Sequence, residues 1–343
     1  MKPTQILNIA FLFRRLLRSA RKKSTYLYQK FVPFIFITVI IYSCSNSSSS
    51  GQIAADTTEH LWRGWNKYQI PETDTLIRYG HELIENTSYY LGPKGIVAQI
   101  TNGMNCQNCH LDGGTVPWGN NYGAVFSTYP QFRARSGGLE TIPKRVNDCL
   151  QRSLNGNSID SNSKEMKAII AYMKWLGEAV PKKHKPKGSG IMDIPFLDRA
   201  ADPVKGKAIF INKCQRCHGA DGQGQKKPDE TGYYPPLWGP NSYNTAAGLY
   251  RISRFAGYVK NNMPFGEVEY HNPQLTNEEA WDAAAFVNSQ PRPSKIFIED
   301  WPDISKKPID HPFGPFADGF SEEQHKYGPF KPIAEARKNK QGK

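Results

Sequence analysis

The chain has 343 residues, enough for two domains of ordinary size, each with its own core. Its formal net charge of +13 overstates the basicity of the folded body, because residues 1–43 hold eight Lys/Arg and no acid, and 13 − 8 leaves +5. So mild an excess of positive charge is not the footprint of a nucleic-acid-binding protein. The six cysteines are the more informative part of the composition.

The first 43 residues are predicted to be a secretory signal. Residues 1–30 are basic, and Phe31–Tyr42 is an apolar run of twelve, too short to span a membrane. Cys44 follows in a context that resembles a loose bacterial lipobox. The Ser/Asn-rich stretch from Ser45 to Gly51 predicts a flexible tether at 44–56. An uncleaved signal anchor is the alternative. Both readings place the body on the periplasmic side of a bacterial membrane, and we predict a lipid anchor on Cys44.

Residues 57–181 are predicted to form a first helical domain. Leu76, Ile77, Leu83 and Ile84 recur at the spacing of one helix face. A second helical stripe near the end of the domain comprises Met166, Ile169, Ile170, Met173 and Leu176. We expect the methionines of this stripe to pack in the core rather than to bind a metal.

Two CxxCH motifs carry the strongest chemical signal. They are Cys106-Gln107-Asn108-Cys109-His110 and Cys214-Gln215-Arg216-Cys217-His218. In such a motif each thiol adds to one vinyl group of the same porphyrin, and the adjacent histidine supplies the proximal nitrogen to the iron. The alternatives are a zinc site or a pair of disulfides, and neither explains the histidine after the second cysteine. We therefore predict two covalently bound c-type haems, one per domain.

A second domain, residues 202–292, follows a Lys/Pro/Gly-rich linker at 182–201. It begins at Asp202-Pro203, which has the pattern of a helix N-cap followed by proline. The apolar side of its first helix is predicted to comprise Val204, Ala208 and Ile209. Thr276 and Glu279 have the spacing of a capping box at the start of its last helix.

Residues 293–343 are rich in proline, glycine and aromatic residues, and we predict an ordered, extended arm that packs over the domains. Only the Lys-rich end from about Arg337 is expected to be loose. Both domains have the same predicted order of elements: a helix, the CxxCH motif, a loop, short helices and a final helix. The predicted fold class is therefore mainly α, with two cytochrome c-like haem domains in tandem and an extended C-terminal arm.

Each iron also needs a sixth ligand or an open position. In the second domain Met263-Pro264 follows a predicted helix, where small cytochromes c place a distal methionine, and a thioether raises the haem potential. Lys260 and His271 are nearby competitors for this position. Core packing of Met263 without iron binding is the further alternative.

The first domain has no methionine between its haem motif and Met166, and Cys149 lies in that interval. Basic residues close in sequence are Arg133, Arg135, Lys144, Arg145 and Arg152. Such a cationic setting favours a thiolate. A lone cysteine is often a small buried hydrophobe, and the arginines can equally form a solvated face or bind haem propionates. The residues alone do not decide among these alternatives.

The stretch from Arg145 to Gly156 resembles the motif around the cysteine haem ligand of thiosulfate dehydrogenases, dihaem cytochromes that interconvert thiosulfate and tetrathionate. Further similar stretches are Tyr129-Pro130, Arg133 to Ser136, Met263-Pro264, Phe286 to Pro293, Asp310 to Asp318 and His325 to Phe330. The resemblance covers nearly everything from Thr57 to Ile333. Leu150 and Leu154 stand where an aromatic residue and a methionine are expected.

The resemblance implies an oxidoreductase that joins two thiosulfates into tetrathionate, or runs the reverse reaction. It implies that Cys149 both caps the first haem and acts as nucleophile, and that Arg135 and Arg145 offset the repulsion between the dianions. Met263 would hold the second haem at a higher potential. Electrons would pass from the first haem to the second and on to a soluble or membrane-bound acceptor.

Two other functions are compatible with parts of the sequence. A non-catalytic dihaem electron carrier needs only the CxxCH motifs and Met263, but leaves Cys149 and the arginines unexplained. A dihaem peroxidase would need an open haem position and a polar distal pocket.

Overall fold

The computed structural model describes residues 61–64, 69–229 and 232–341. The predicted signal at 1–43, Cys44 and the tether at 44–56 lie outside these ranges. The described residues belong to one compact unit that extends over 54–343. Within the described part of the chain, no helix is long and apolar enough to cross a membrane.

The first domain is built from short helices and one hairpin. The helices are α1 (Thr75–Glu85), α2 (Thr87–Leu91), α3 (Leu111–Gly114), α4 (Val125–Thr128), α5 (Ile142–Arg152) and α6 (Lys164–Gly177). Between α4 and α5, β1 (Gln131–Arg133) pairs antiparallel with β2 (Gly138–Glu140), and Gln131 lies opposite Glu140. Helices α1 and α6 pack so closely that a side chain at Gly80 would overlap the carbonyl oxygen of Ala168.

The helical stripes of the first domain are confirmed in most positions. Leu83 and Ile84 are buried in α1, and Met166 and Met173 are buried in α6 as core residues. Leu76 is 41% exposed, so the prediction that it shares the buried face of α1 is wrong. It lies at the start of the helix, one full turn before the buried segment that begins at Gly80.

The second domain has the same order of parts. Its elements are α7 (Pro203–Ile209), a π-helical turn (Phe210–Cys214), α8 (Gln215–His218), α9 (Ile252–Asn262) and α10 (Asn277–Ser289). A small hairpin, β3 (Gln225–Lys226) and β4 (Tyr233–Tyr234), follows α8, and Gln225 lies opposite Tyr234. The cap predictions are confirmed: Asp202 caps α7, and Thr276 with Glu279 forms the capping box of α10.

The apolar face predicted for α7 is wrong at two of its three positions. Gly206 is the buried residue of this helix, and a side chain there would overlap the carbonyl oxygen of Asp282 in α10. Val204 and Ala208 each lie two residues from Gly206, about 200° around the helix, so both are exposed. Ile209, three residues away, is partly buried.

The C-terminal arm is ordered, but it is not extended throughout. It contains a 3₁₀ turn (Ile304–Lys306), α11 (Glu322–Tyr327) and α12 (Lys331–Gln341). Ile333 is fully buried in the core of the second domain. The prediction of a loose end from Arg337 is wrong, because Arg337 lies within α12 and donates a hydrogen bond of 2.5 Å to the carbonyl oxygen of Lys307.

Two hydrophobic cores lie side by side, and the first haem motif lies where they meet. Leu111, directly after the first CxxCH, packs in the core of the second domain. Helix α9 of the second domain contacts this segment: Tyr258 Oη donates to Asn108 O at 3.1 Å, and Asn262 Nδ2 donates to Trp118 O at 3.2 Å. The site near the first motif is therefore built by both domains.

Candidate active site

The first CxxCH forms a tight turn with its histidine fixed. Cys106 starts a 3₁₀ turn whose cap is Asn105, and the Cys106 amide donates to Thr87 Oγ1 at 3.0 Å. Nδ1 of His110 contacts the carbonyl oxygen of Asn120, and the ring stacks on Tyr122 at 4.5 Å. Since a backbone carbonyl accepts from Nδ1–H, Nε2 keeps its lone pair and is the nitrogen that would bind a haem iron.

Loss of solvation keeps these groups in their neutral forms. Burial lowers the pKa of His110 to about 4, and neutral imidazole is the form that binds a metal. Burial also raises the pKa of Cys106 to about 11 and that of Cys109 to about 12. The thiols and the imidazole therefore fit covalent haem attachment with a proximal histidine.

The second CxxCH repeats the arrangement. Cys214 ends the π-helical turn, and His218 ends α8. Nδ1 of His218 lies 2.8 Å from the carbonyl oxygen of Pro235, and burial lowers the pKa of this imidazole. All four motif cysteines, Cys106, Cys109, Cys214 and Cys217, are free of disulfides, which leaves them available to two haems.

Met263 is placed differently from its two competitors. It follows the last residue of α9 and packs, partly buried, on the second-domain core that Cys214 also contacts. Lys260 Nζ instead donates to the carbonyl oxygen of Leu275 at 3.0 Å, and the exposed His271 pairs with Glu269 at 3.2 Å. The structure therefore leaves Met263 as the candidate ligand for the second iron.

Cys149 shares a cavity of about 370 Å³ with Cys109 and His110. It lies on α5, which begins at the N-cap Thr141 and carries a proline in its first turn. The walls come from both domains and the linker, with these other residues: Asn120, Arg133, Arg135, Arg145, Asp148, Arg152, Ser153, Gly190, Ile191, Gly248, Leu249, Arg251 and Arg254. The residues singled out in sequence, Cys149, Arg135 and Arg145, thus come together beside the first haem motif.

Four of the arginines on this wall have carboxylate partners. The pairs are Arg133 with Glu140 (3.8 Å), Arg152 with Asp300 (2.7 Å), Arg251 with Asp310 (2.5 Å) and Arg254 with Asp193 (2.7 Å). Arg135 and Arg145 have no ion pair within the described residues. They are therefore the cations on this wall that an anionic ligand can reach without displacing a carboxylate.

Arg145 and Arg135 have different surroundings. The pKa of Arg145 is raised, chiefly by the negative charge that the nearby Cys149 sulfur can carry, so Arg145 stays charged. Burial, and next the nearby Arg152, lower the pKa of Arg135 to about 10, which still leaves it charged near neutral pH. Arg135 is held by Trp301, whose ring lies 5.4 Å below the guanidinium.

Sequence reasoning missed the contributions of the second domain and the arm. Arg251 and Arg254 line the cavity from the start of α9, and Asp300 and Asp310 of the arm pair with arginines on its wall. Arg251 and Arg254 have the i, i+3 spacing of one helix face, but no local signal shows which domain that face meets.

Two CxxCH turns on two helical domains, each with its histidine fixed by a backbone carbonyl, define a dihaem c-type cytochrome. Residues 97–181 match the family model for the SoxA/TsdA cytochrome c domain, and residues 203–291 match that for cytochrome c. The predictions of a mainly α fold with two cytochrome c domains in tandem and of two covalent haems are confirmed. The exact domain boundaries stay predictions.

The chain belongs to the thiosulfate dehydrogenase family and is an oxidoreductase. It is 37% identical over 242 residues to the thiosulfate dehydrogenase of Psychrobacter arcticus, covering 68% of this chain and 69% of the relative. It is 40% identical over 198 residues to that of Allochromatium vinosum, covering 57% and 72%. The solved thiosulfate dehydrogenase TsdBA of Marichromatium purpuratum superposes with a TM-score of 0.59 at 27% identity, over 71% of this chain and 52% of that one. The chain thus spans about half of that solved protein.

Proposed function

We propose that this protein oxidises two thiosulfates to one tetrathionate. The observation that carries the proposal is the cavity in which Cys149 lies with His110 and with Arg135 and Arg145, which form no ion pair in the part of the chain that the structure describes. The names of the relatives support thiosulfate as the substrate. The reverse reaction would use the same groups.

Electrostatics explain the arginines. Thiosulfate is a dianion, and two dianions repel each other strongly when they approach within a cavity of low dielectric constant. Arg145 lies one helical turn before Cys149 on α5, and the guanidinium of Arg135 lies over the ring of Trp301. Their planar guanidinium groups can donate several hydrogen bonds to a sulfonate while cancelling its charge.

The first step is oxidative. The Cys149 thiolate and the terminal sulfur of thiosulfate form an S–S bond, which gives a Cys–S–S–SO₃⁻ adduct and releases two electrons. Charge balances, since one thiolate and one dianion become one monoanion and two electrons. Arg145, one helical turn before Cys149 on α5, lines the same cavity and places a positive charge near the sulfur that starts this step.

The second step restores the cysteine. The terminal sulfur of a second thiosulfate attacks the outer sulfur of the adduct, the bond to Cys149 breaks, and tetrathionate leaves. Cys149 is returned as the thiolate, and no further electrons are released. The total is two thiosulfates to one tetrathionate and two electrons.

The haems would supply two one-electron acceptors for the first step. We propose that His110 and Cys149 hold the first haem iron and that His218 and Met263 hold the second. A thiolate ligand favours a low potential and a thioether a higher one, so electrons would flow from the first haem to the second and then to an external acceptor.

The proposed location is the periplasmic side of a bacterial membrane, with a lipid on Cys44. It rests on the predicted signal at 1–43, since c-type haem is attached outside the cytoplasmic membrane. Fractionation of cells tests it: we expect the protein in the membrane fraction until detergent is added, and release without detergent contradicts a lipid anchor.

The function is tested with the purified dihaem protein, thiosulfate and ferricyanide. We expect two ferricyanides reduced for each tetrathionate formed, with no such reaction from sulfate or from heat-treated protein. A non-catalytic electron carrier would form no tetrathionate. A peroxidase would instead consume hydrogen peroxide at an open haem position, so a parallel assay of peroxide consumption distinguishes a peroxidase from the other two functions.

A further inference from the structure

The second domain contributes two arginines to the cavity that holds Cys149. Arg251 is the N-cap of α9, and Arg254 lies three residues further on, so the two share one side of the helix. Both line the cavity that α5 of the first domain lines with Cys149 and Arg145. The cavity thus has cations from both domains.

Arg251 is locked in place. Its Nε and Nη2 both donate to Asp310 Oδ1, at 2.8 and 2.5 Å, and Asp310 is 1% exposed. The other oxygen of Asp310 accepts from the amide of Ser253 at 3.2 Å and from its hydroxyl at 2.5 Å. A substrate anion cannot displace a carboxylate with so many buried contacts, so Arg251 is a fixed charge.

Arg254 is held far more weakly. Its Nη1 donates to Asp193 Oδ1 at 2.7 Å, but the Arg254 side chain is 37% exposed and that of Asp193 77%. Exposed pairs of this kind contribute little net free energy. Asp193 lies on the linker, close in sequence to Gly190 and Ile191, which line the cavity. An anion that arrives at the cavity can therefore replace Asp193 on Arg254.

We propose that Arg254 binds the second thiosulfate, an inference that rests on the proposed function. The second thiosulfate must approach an adduct on Cys149 that already carries a sulfonate charge near Arg145. Arg254 offers the incoming dianion a cation from the other domain. Between turnovers Arg254 forms its ion pair with Asp193, and this pair breaks when thiosulfate binds.

The test compares Arg254→Gln with Arg254→Lys, Asp193→Asn and the charge-matched control Arg78→Gln. Arg78 is an exposed residue of α1 outside the cavity. In steady-state oxidation with ferricyanide we expect Arg254→Gln to raise the KM for thiosulfate about tenfold, as for one lost charge-assisted contact, with kcat within about twofold of wild type. Arg254→Lys should be intermediate, and Arg78→Gln should match wild type.

Asp193→Asn removes the competing carboxylate, so we expect an unchanged or lower KM. The first step should not depend on Arg254: the adduct on Cys149, detected by mass spectrometry after one equivalent of thiosulfate and excess ferricyanide, should form equally in Arg254→Gln. Both haem spectra should match wild type in every variant.

The outcomes separate the two proposals. Wild type that forms no tetrathionate overturns the proposed function, and the role of Arg254 with it. Active wild type with an unchanged KM in Arg254→Gln overturns the role of Arg254 alone, and so does a loss confined to kcat. If Arg254→Gln fails to fold, Asp193→Asn decides: a raised KM there shows that the Asp193 pair supports the site and overturns the exchange of partners.

Discussion

Arg152, at the end of the helix that carries Cys149, donates two parallel hydrogen bonds to Asp300 of the C-terminal arm, at 2.7 and 2.8 Å. The Arg152 side chain is only 4% exposed, and its guanidinium lies 3.7 Å from the ring centre of Phe297. This buried pair fastens the arm beside the cavity. The arm thus holds in place one of the arginines that line the candidate site.

Asp300→Asn should destabilise the protein by about 2 kcal/mol, because the buried Arg152 loses its two-bond partner and keeps only Asp148, 4.0 Å away, as a counter-ion. Chemical denaturation followed by far-ultraviolet circular dichroism measures the loss. Asp198→Asn is the matched control, since its pair with Lys331 is highly exposed and should contribute nothing measurable. Equal stability of the two variants would show that the arm is not held by Asp300.

Met263→Gly should lower the potential of the second haem, because the soft thioether favours ferrous iron. The expected shift is on the order of 100 mV, a fraction of the ~0.8 V that axial ligands span. Spectroelectrochemical titration measures both haems, and the first should be unchanged. Lys260→Ala and His271→Ala are the controls and should leave the second potential where it is. A shift in one of them, with none in Met263→Gly, would assign the ligand to that residue.

Arg145→Lys keeps the positive charge but loses the planar set of donors. We expect kcat/KM for thiosulfate to fall about 10- to 100-fold, as for loss of one charge-assisted contact of about 1.5–3 kcal/mol. The measurement is steady-state oxidation with ferricyanide, with Arg78→Lys as the control. Both haem spectra should be intact, whereas loss of haem would show that Arg145 binds a propionate instead.

The parts of the site that depend on local spacing are readable from the sequence. Each CxxCH places two thiols and a histidine within one turn whatever the rest of the fold does, and Thr276 with Glu279 caps α10 through neighbours on the same helix. Cys149 is found by a weaker argument, the interval in which a distal ligand must lie together with a family resemblance. The cavity agrees with that placement.

The remaining features depend on contacts between distant segments. Val204 looks like a core residue, but the close approach of Gly206 to α10 turns it outward. Arg152 and Asp300 are 148 residues apart, and no pattern in either segment indicates the other. Arg254 is equally hidden, because its role depends on which face of α9 meets the first domain. Tertiary packing determines the burial and the partners of these residues, and sequence periodicity does not predict that packing.

Cys149→Ala measures the rate of thiosulfate oxidation without the proposed haem ligand and nucleophile. It should remove the weak long-wavelength band of thiolate-bound ferric haem, open the first iron to added ligands and reduce thiosulfate oxidation to background. The second haem should be untouched. A variant unchanged in both spectrum and rate would make Cys149 an ordinary buried cysteine.

The most direct measurement is tetrathionate formation by Cys149→Met, with thiosulfate and ferricyanide. A thioether can still ligate the first haem iron, so the variant should keep a six-coordinate first haem at a raised potential. It cannot form the S–S bond of the adduct, so tetrathionate formation should fall to the level of Cys149→Ala. Full turnover in Cys149→Met would contradict the account and leave Cys149 a haem ligand without a role as nucleophile.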